Sequence, residues 1–261
     1  MADWDYYQRL QTELTRPWVS GIPANLRNQD RLLPDQPVMR HLYQGADYYA
    51  DLAEVVNSVL PIFSVHDKFD IRLKPGMTYE TLGSDLATLH FLQLLVRLTG
   101  ARDVLEVGTY VGVSAMFLAE AVGEGGHVVT VEVGEEFYTL ARDNIARNGL
   151  AHRILVVGGD ILEIATGEAD YDLIFLDGGK ADYDKILPAM LDMLRPGGLL
   201  VVDDVFCNGD TLNDMPTTAK GGGVGAMLKR AARRGLKEYS PVILPCGNGL
   251  LLMCKPKLRT A

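Results

Sequence analysis

The sequence predicts an α/β protein: a doubly wound, mostly parallel, seven-stranded sheet with a C-terminal antiparallel hairpin and an N-terminal helical cap. Three observations carry this. From Leu82 onward, strand-like and helix-like segments alternate five times. The strand-like runs are continuously apolar, as strands covered on both faces must be. Each of the first five ends on an acid or a glycine, where open parallel sheets bind ligands.

Residues 1–75 stand apart. They carry Pro17, Pro23, Pro34, Pro37, Pro61 and Pro75, with polar loops and a helical pattern over 48–60. They are expected to form a cap of helices and loops that shapes an acceptor pocket or a dimer contact, and residues 76–261 the main domain. Asp85–Gly100 reads as a helix closed by its glycine. Strands are expected over 103–108, 127–133, 153–159, 171–178 and 199–205. Helices are expected over 114–122, 135–149 and 183–198, the last stopped by Pro-Gly-Gly, with a short one from Asp160. A further helix is expected over 225–235 and a closing hairpin over 238–256. Between them, the glycines of 209–225 suggest a mobile lid.

The chain has 261 residues, 48% hydrophobic and 23% charged, with a net charge of -9. An acidic balance argues against nucleic acid and anionic membrane as partners and leaves a small molecule. Cys207, Cys246 and Cys254 lack metal-type spacing and point to reduced thiols in the cytoplasm. No run reaches ~18 uninterrupted apolar residues, so no membrane span is expected.

The acids that end the strands are Glu106, Glu132, Asp160, Asp177 and the pair Asp203/Asp204. Crowded at one rim, they repel each other and require cations or hydrogen-bond donors. The first glycine turn, Gly108-Thr-Tyr-Val-Gly112, departs from G-x-G-x-x-G because Tyr110 replaces the glycine that meets a pyrophosphate. A nicotinamide cofactor is disfavoured. Glu132, 24 residues after Gly108, suits ribose hydroxyls, so an adenosine-type ligand without pyrophosphate is expected.

The segments "VLEVGTYVGVSAMFLA", "VTVEVGEEFYTLARDNI", "YDLIFLDGGKADY" and "LRPGGLLVVDDVFCNG" resemble the class I S-adenosylmethionine-dependent methyltransferases, most nearly the metal-dependent catechol and caffeoyl-CoA O-methyltransferases. The resemblance runs from about residue 85 to 256. It implies a cofactor site made by Glu106, Gly108, Tyr110, Ser114, Glu132, Val133, Gly159, Asp160, Ile161 and Asp177. Ser114 would take the methionine carboxylate, Glu132 the ribose, and Asp160 with Ile161 the adenine. Met77 and Thr78 match a backbone contact to the cofactor, at a different spacing.

The resemblance also implies a Mg²⁺ site, or one for Ca²⁺ or Mn²⁺, at Asp177, Asp203 and Asp204, a hard-oxygen set. Related enzymes carry Asn at the third position, and Asn208 is a neutral oxygen nearby. Lys180 is implied as general base, which requires a depressed pKa. The implied acceptor is a phenolic, catechol-like molecule, with Gly178 and Gly179 leaving room for bulk. Other readings are a metal-independent N- or O-methyltransferase and a non-catalytic cofactor-binding protein. The run Lys229, Arg230, Arg233, Arg234, Lys237 reads as a solvated helix face or a phosphate clasp. A homodimer is expected.

Overall fold

The computed structural model describes residues 64–257, except 80–81, 166–169 and 233. Most of the predicted cap, including the helical pattern at 48–60, therefore lies outside the described residues. The main chain runs α1 (Val65–Lys68), α2 (Leu86–Thr99), β1 (Asp103–Val107), α3 (Val113–Val122), β2 (His127–Glu132), α4 (Glu135–Arg147) and β3 (Ile154–Gly158). It continues through α5 (Ile161–Ile164), β4 (Tyr171–Leu176), α6 (Tyr183–Met193), β5 (Leu194–Val202), α7 (Ala219–Ala231), β6 (Val242–Leu244) and β7 (Leu250–Cys254).

The seven strands lie in the order β3-β2-β1-β4-β5-β7-β6. β1 pairs in parallel with both β2 and β4, and β7 enters antiparallel against β5. The chain winds outward in two directions from the β1/β4 junction, so the carboxyl ends of β1 and β4 open at the switch point.

The pleat divides the core. Val104, Leu173 and Phe175 face one layer, with Leu89, Leu92 and Val96 of α2 and Phe117 of α3. Leu105, Ile174 and Leu176 face the other, with Tyr183, Leu187 and Met190 of α6 and Val224 and Met227 of α7. Each such buried side chain contributes about 1.5–3 kcal/mol relative to exposure, which is why these strands read as unbroken apolar runs.

The first four strands and most helices match expectation within a residue or two, whereas the fifth strand, expected over 199–205, runs 194–202. Three other segments also differ. The helix expected over 183–198 ends at Met193, because Leu194 is already extended and Gly197 needs φ 86°. Pro196 also disfavours a helical residue before it. Lys255 closes this end: its Nζ donates to the carbonyls of Leu191, Asp192 and Leu194 at 2.9, 3.2 and 2.6 Å. The helix expected over 225–235 spans 219–231, and the hairpin strands cover only 242–244 and 250–254.

The segment 209–225, expected as a glycine-rich mobile lid, is also more ordered in its secondary structure than its composition suggests. Most of it is regular: a 3-10 segment at 207–212 and the first turns of α7. Asp210 knots it together, accepting from the backbone N–H and hydroxyl of both Thr217 and Thr218. The glycines serve packing. A Cβ on Gly221 would strike Asp210, and one on Gly223 would stand 2.5 Å from the Lys180 carbonyl oxygen.

Candidate active site

A cavity of about 500 Å³ opens at the carboxyl ends of β1, β2 and β4. Gly108, Tyr110, Ser114, Glu132, Val133, Gly159, Asp160, Ile161, Asp177 and Lys180 all line it. Residues drawn from four loops thus meet where the sheet topology requires.

β1 ends on Gly108 with φ 100°. A Cβ there would lie 2.7 Å from the Asp177 carbonyl carbon and 2.8 Å from Gly178 Cα. Its absence lets the ends of β1 and β4 close on each other. The turn that follows is gripped by Glu132. One oxygen of this carboxylate accepts from the amides of Thr109 and Tyr110, at 3.1 and 2.9 Å. The other accepts from Gly134 at 2.8 Å. Tyr110 takes φ 49°, and its hydroxyl donates to the Thr78 carbonyl. Its ring tilts against Phe137, with centroids 5.3 Å apart.

α3 opens at Gly112, which supplies no side-chain cap, and Ser114 sits buried in the first turn. Ser114 is therefore inside the helix rather than its cap. Uncapped amides at a helix start favour an anion, and Val113 and Ser114 turn this end toward the cavity. Asp160 caps α5 by accepting from Leu162 N–H at 2.9 Å.

Glu106 lies beneath the cavity, fully buried and outside its lining. One oxygen accepts from the Thr130 hydroxyl, and the other has no hydrogen-bond partner. Burial pushes its pKa up to about 8.

At the β4 end, Asp177 accepts from Ser84 Oγ at 3.1 Å on one oxygen and from Lys180 Nζ at 2.9 Å on the other. Lys180 Nζ also stands 3.0 Å from Asp204 Oδ2. Asp204 holds φ 59°, and its N–H donates to Asp203 Oδ1 at 2.7 Å. Asp203 is buried, and desolvation with the charges of Asp177 and Asp204 pushes its pKa up to about 8. Burial works against the Lys180 ammonium, but Asp177 and Asp204 more than offset it and raise its pKa above the ordinary lysine value.

The match to known proteins covers these same elements. The family model described as O-methyltransferase matches residues 73–256. The chain belongs to the O-methyltransferase family. It is 36% identical over 165 residues to a Mycolicibacterium vanbaalenii protein provisionally named an O-methyltransferase, covering 61% of this chain and 71% of the relative. It is 33% identical over 132 residues to a catechol O-methyltransferase of Niastella koreensis, covering 49% and 60%. The O-methyltransferase TomG of Streptomyces achromogenes, solved in complex with S-adenosylmethionine, superposes with a TM-score of 0.67 at 25% identity, covering 78% of this chain and 95% of TomG.

Several expectations for this O-methyltransferase change. The base was expected with a depressed pKa, yet the two carboxylates raise it here. Glu106, expected to face either the cofactor's ammonium group or the site floor, is buried and does not line the cavity. Asp203 and Asp204 stand beside the cavity rather than in its lining, and among the described residues no three acidic, His or Cys side chains form a preassembled metal site. Met77 and Thr78 do not line it, though Tyr79 does. Asn208 donates its backbone N–H to Asn248 Oδ1, a bond that does not involve its side-chain oxygen. Arg230 forms a two-point pair with Asp184 of α6, at 2.6 and 2.9 Å, so it is a tether and no phosphate clasp. Arg233 lies outside the described residues.

Sequence reasoning missed Ser84, Tyr79 and Lys220, which also line the cavity. Ser84 directly precedes the α2 cap Asp85 and carried only a helix-start signal. Among the described residues, no helix is long and apolar enough to cross a membrane.

Proposed function

We propose that this O-methyltransferase moves the methyl group of S-adenosylmethionine onto a hydroxyl of a phenolic acceptor with two adjacent oxygens, assisted by a divalent cation. The observation that carries the reading is the charge at the ends of β4 and β5. Two carboxylates, Asp177 and Asp204, share one ammonium, that of Lys180, and a third carboxyl, Asp203, accepts from the Asp204 N–H beside them. The donors are hard oxygens, and a cation already bridges two of them as a lysine. The chemistry of the donors therefore suits a small divalent ion, although the three side chains are not gathered around one point as they stand.

The methionine end of the cofactor would lie along Gly108 and the open start of α3, its carboxylate on Ser114 and the helix amides. Glu132 keeps lone pairs beyond its three backbone donors and can take ribose hydroxyls. Val133, Asp160 and Ile161 form the adenine wall. Asp177, Asp203 and Asp204 would hold the cation. When bound, the sulfonium supplies the methyl group and the cation lowers the pKa of the acceptor hydroxyl. Lys180, which lines the cavity, would receive that hydroxyl's proton once its Nζ had left the two carboxylates and given its own proton to solvent. The open side of Gly179, with nothing within 4 Å of a built Cβ, leaves space for a ring. The kinship with a catechol O-methyltransferase supports this acceptor class.

The bridging Lys180 favours one second reading, metal-independent methylation with the lysine as fixed counter-charge. Methyl transfer from labelled cofactor to a panel of catechols, before and after EDTA, separates the two. Loss on chelation with recovery in Mg²⁺ is expected, and full activity after chelation overturns the metal role. Asp177→Ala should abolish transfer while calorimetry still detects S-adenosylhomocysteine.

A further inference from the structure

We infer that the Lys180 ammonium is a built-in plug that competes with the divalent cation for Asp177 and Asp204. This rests on the metal-assisted reading above. Nζ lies 2.9 Å from Asp177 Oδ1 and 3.0 Å from Asp204 Oδ2, and the lysine side chain is only 11% exposed. An ion bridging these two oxygens from the side that Nζ occupies would overlap the ammonium, so the two compete for that position.

The backbone beneath the plug is fixed. Lys180 begins a 3-10 turn clamped against α7, where Gly223 leaves no room for even a methyl group beside the Lys180 and Ala181 carbonyls. Displacement must therefore be a swing of the side chain about a stationary Cα. One route is open, because Lys180 and Gly179 both line the cavity and nothing lies within 4 Å of the Gly179 Cβ position. Cation entry would move Nζ off the carboxylates and into the acceptor space. One displacement thus loads the site and delivers the amine.

Asp204 makes the plug two-pronged. Its left-handed backbone, φ 59°, aims the carboxylate at the lysine. A neutral amide there would keep an oxygen for the cation and give up one of the two ion pairs. Asp204 therefore acts as a positioning residue for Lys180.

The test is calorimetric titration of MgCl₂ into the full chain, wild type against Lys180→Met, each with and without Asp204→Asn. A plug that occupies the site most of the time reduces apparent affinity by its population, so Lys180→Met should bind Mg²⁺ roughly 10- to 100-fold more tightly. In the Asp204→Asn background the gain should shrink. Amine-reactive labelling of wild-type Lys180, read by mass spectrometry, should rise with added Mg²⁺, a readout that needs no variant to fold. Equal affinities, with labelling indifferent to Mg²⁺, overturn the plug while leaving the metal reading standing. Absence of Mg²⁺ binding in every protein overturns both.

Discussion

Glu106→Gln should remove a pH-dependent weakness of the ligand-free protein. Glu106 is completely buried under the cavity floor, with one oxygen bonded to Thr130 and the other without a partner. Burial raises its pKa from 4.5 to about 8. The folded chain therefore binds this proton more tightly than the unfolded chain. The resulting stability is complete below the unfolded pKa and is lost as pH rises through about 8. A gap of that size corresponds to about 5 kcal/mol, an upper bound because the fold relaxes around a buried charge. Gln keeps the shape and the acceptor for Thr130 but cannot ionise. Urea unfolding of both proteins from pH 5 to 9 reads the effect. The variant should gain several kcal/mol on wild type between about pH 5 and 8. Asp203 titrates in the same window, but taking the difference between the two proteins largely removes its contribution. Parallel stability curves would show that Glu106 ionises freely in the fold and refute the argument.

Gly222 and Gly223 are neighbours on α7 with opposite expectations. Nothing lies within 4 Å of a Cβ on Gly222, so Gly222→Ala should stabilise by up to ~1 kcal/mol through helix propensity. Gly223→Ala must push α7 off the Lys180 turn, lowering both thermal stability and kcat while S-adenosylhomocysteine affinity holds; unchanged kcat would refute the clamp. Lys255→Met keeps the aliphatic stem but strands three carbonyls at the end of α6. A loss of about 1–2 kcal/mol is expected from the urea midpoint, and an unchanged midpoint would mean that water serves those carbonyls equally well.

Strand positions were legible because burial on both sheet faces writes itself as an apolar run, and the order of strands and helices then fixes which loop ends meet. That is why Gly108, Glu132, Asp177 and Lys180, spread over 73 positions, could be placed at one rim from sequence and are found lining one cavity. What stayed hidden are bonds with no period. Asn144 is fully buried on α4, and its side chain holds Arg72 through both N–H and carbonyl and also reaches the Val111 carbonyl. An asparagine in a helix carries no mark of a partner 72 residues away. The glycines of 221–225 misled for a related reason. Glycine signals a missing Cβ, and sequence alone cannot say whether the vacancy gives freedom to the backbone or room to a neighbour. Here a neighbouring backbone claims it at Gly223, and that contact fixes where the Lys180 turn sits. The same limit governs the acids. A row of carboxylates at strand ends announces a need for positive charge, but not whether a bound ion or a lysine from the same loop will meet it. With Lys180 three residues beyond Asp177, this chain meets that need at Asp177 and Asp204 from within the same sheet edge.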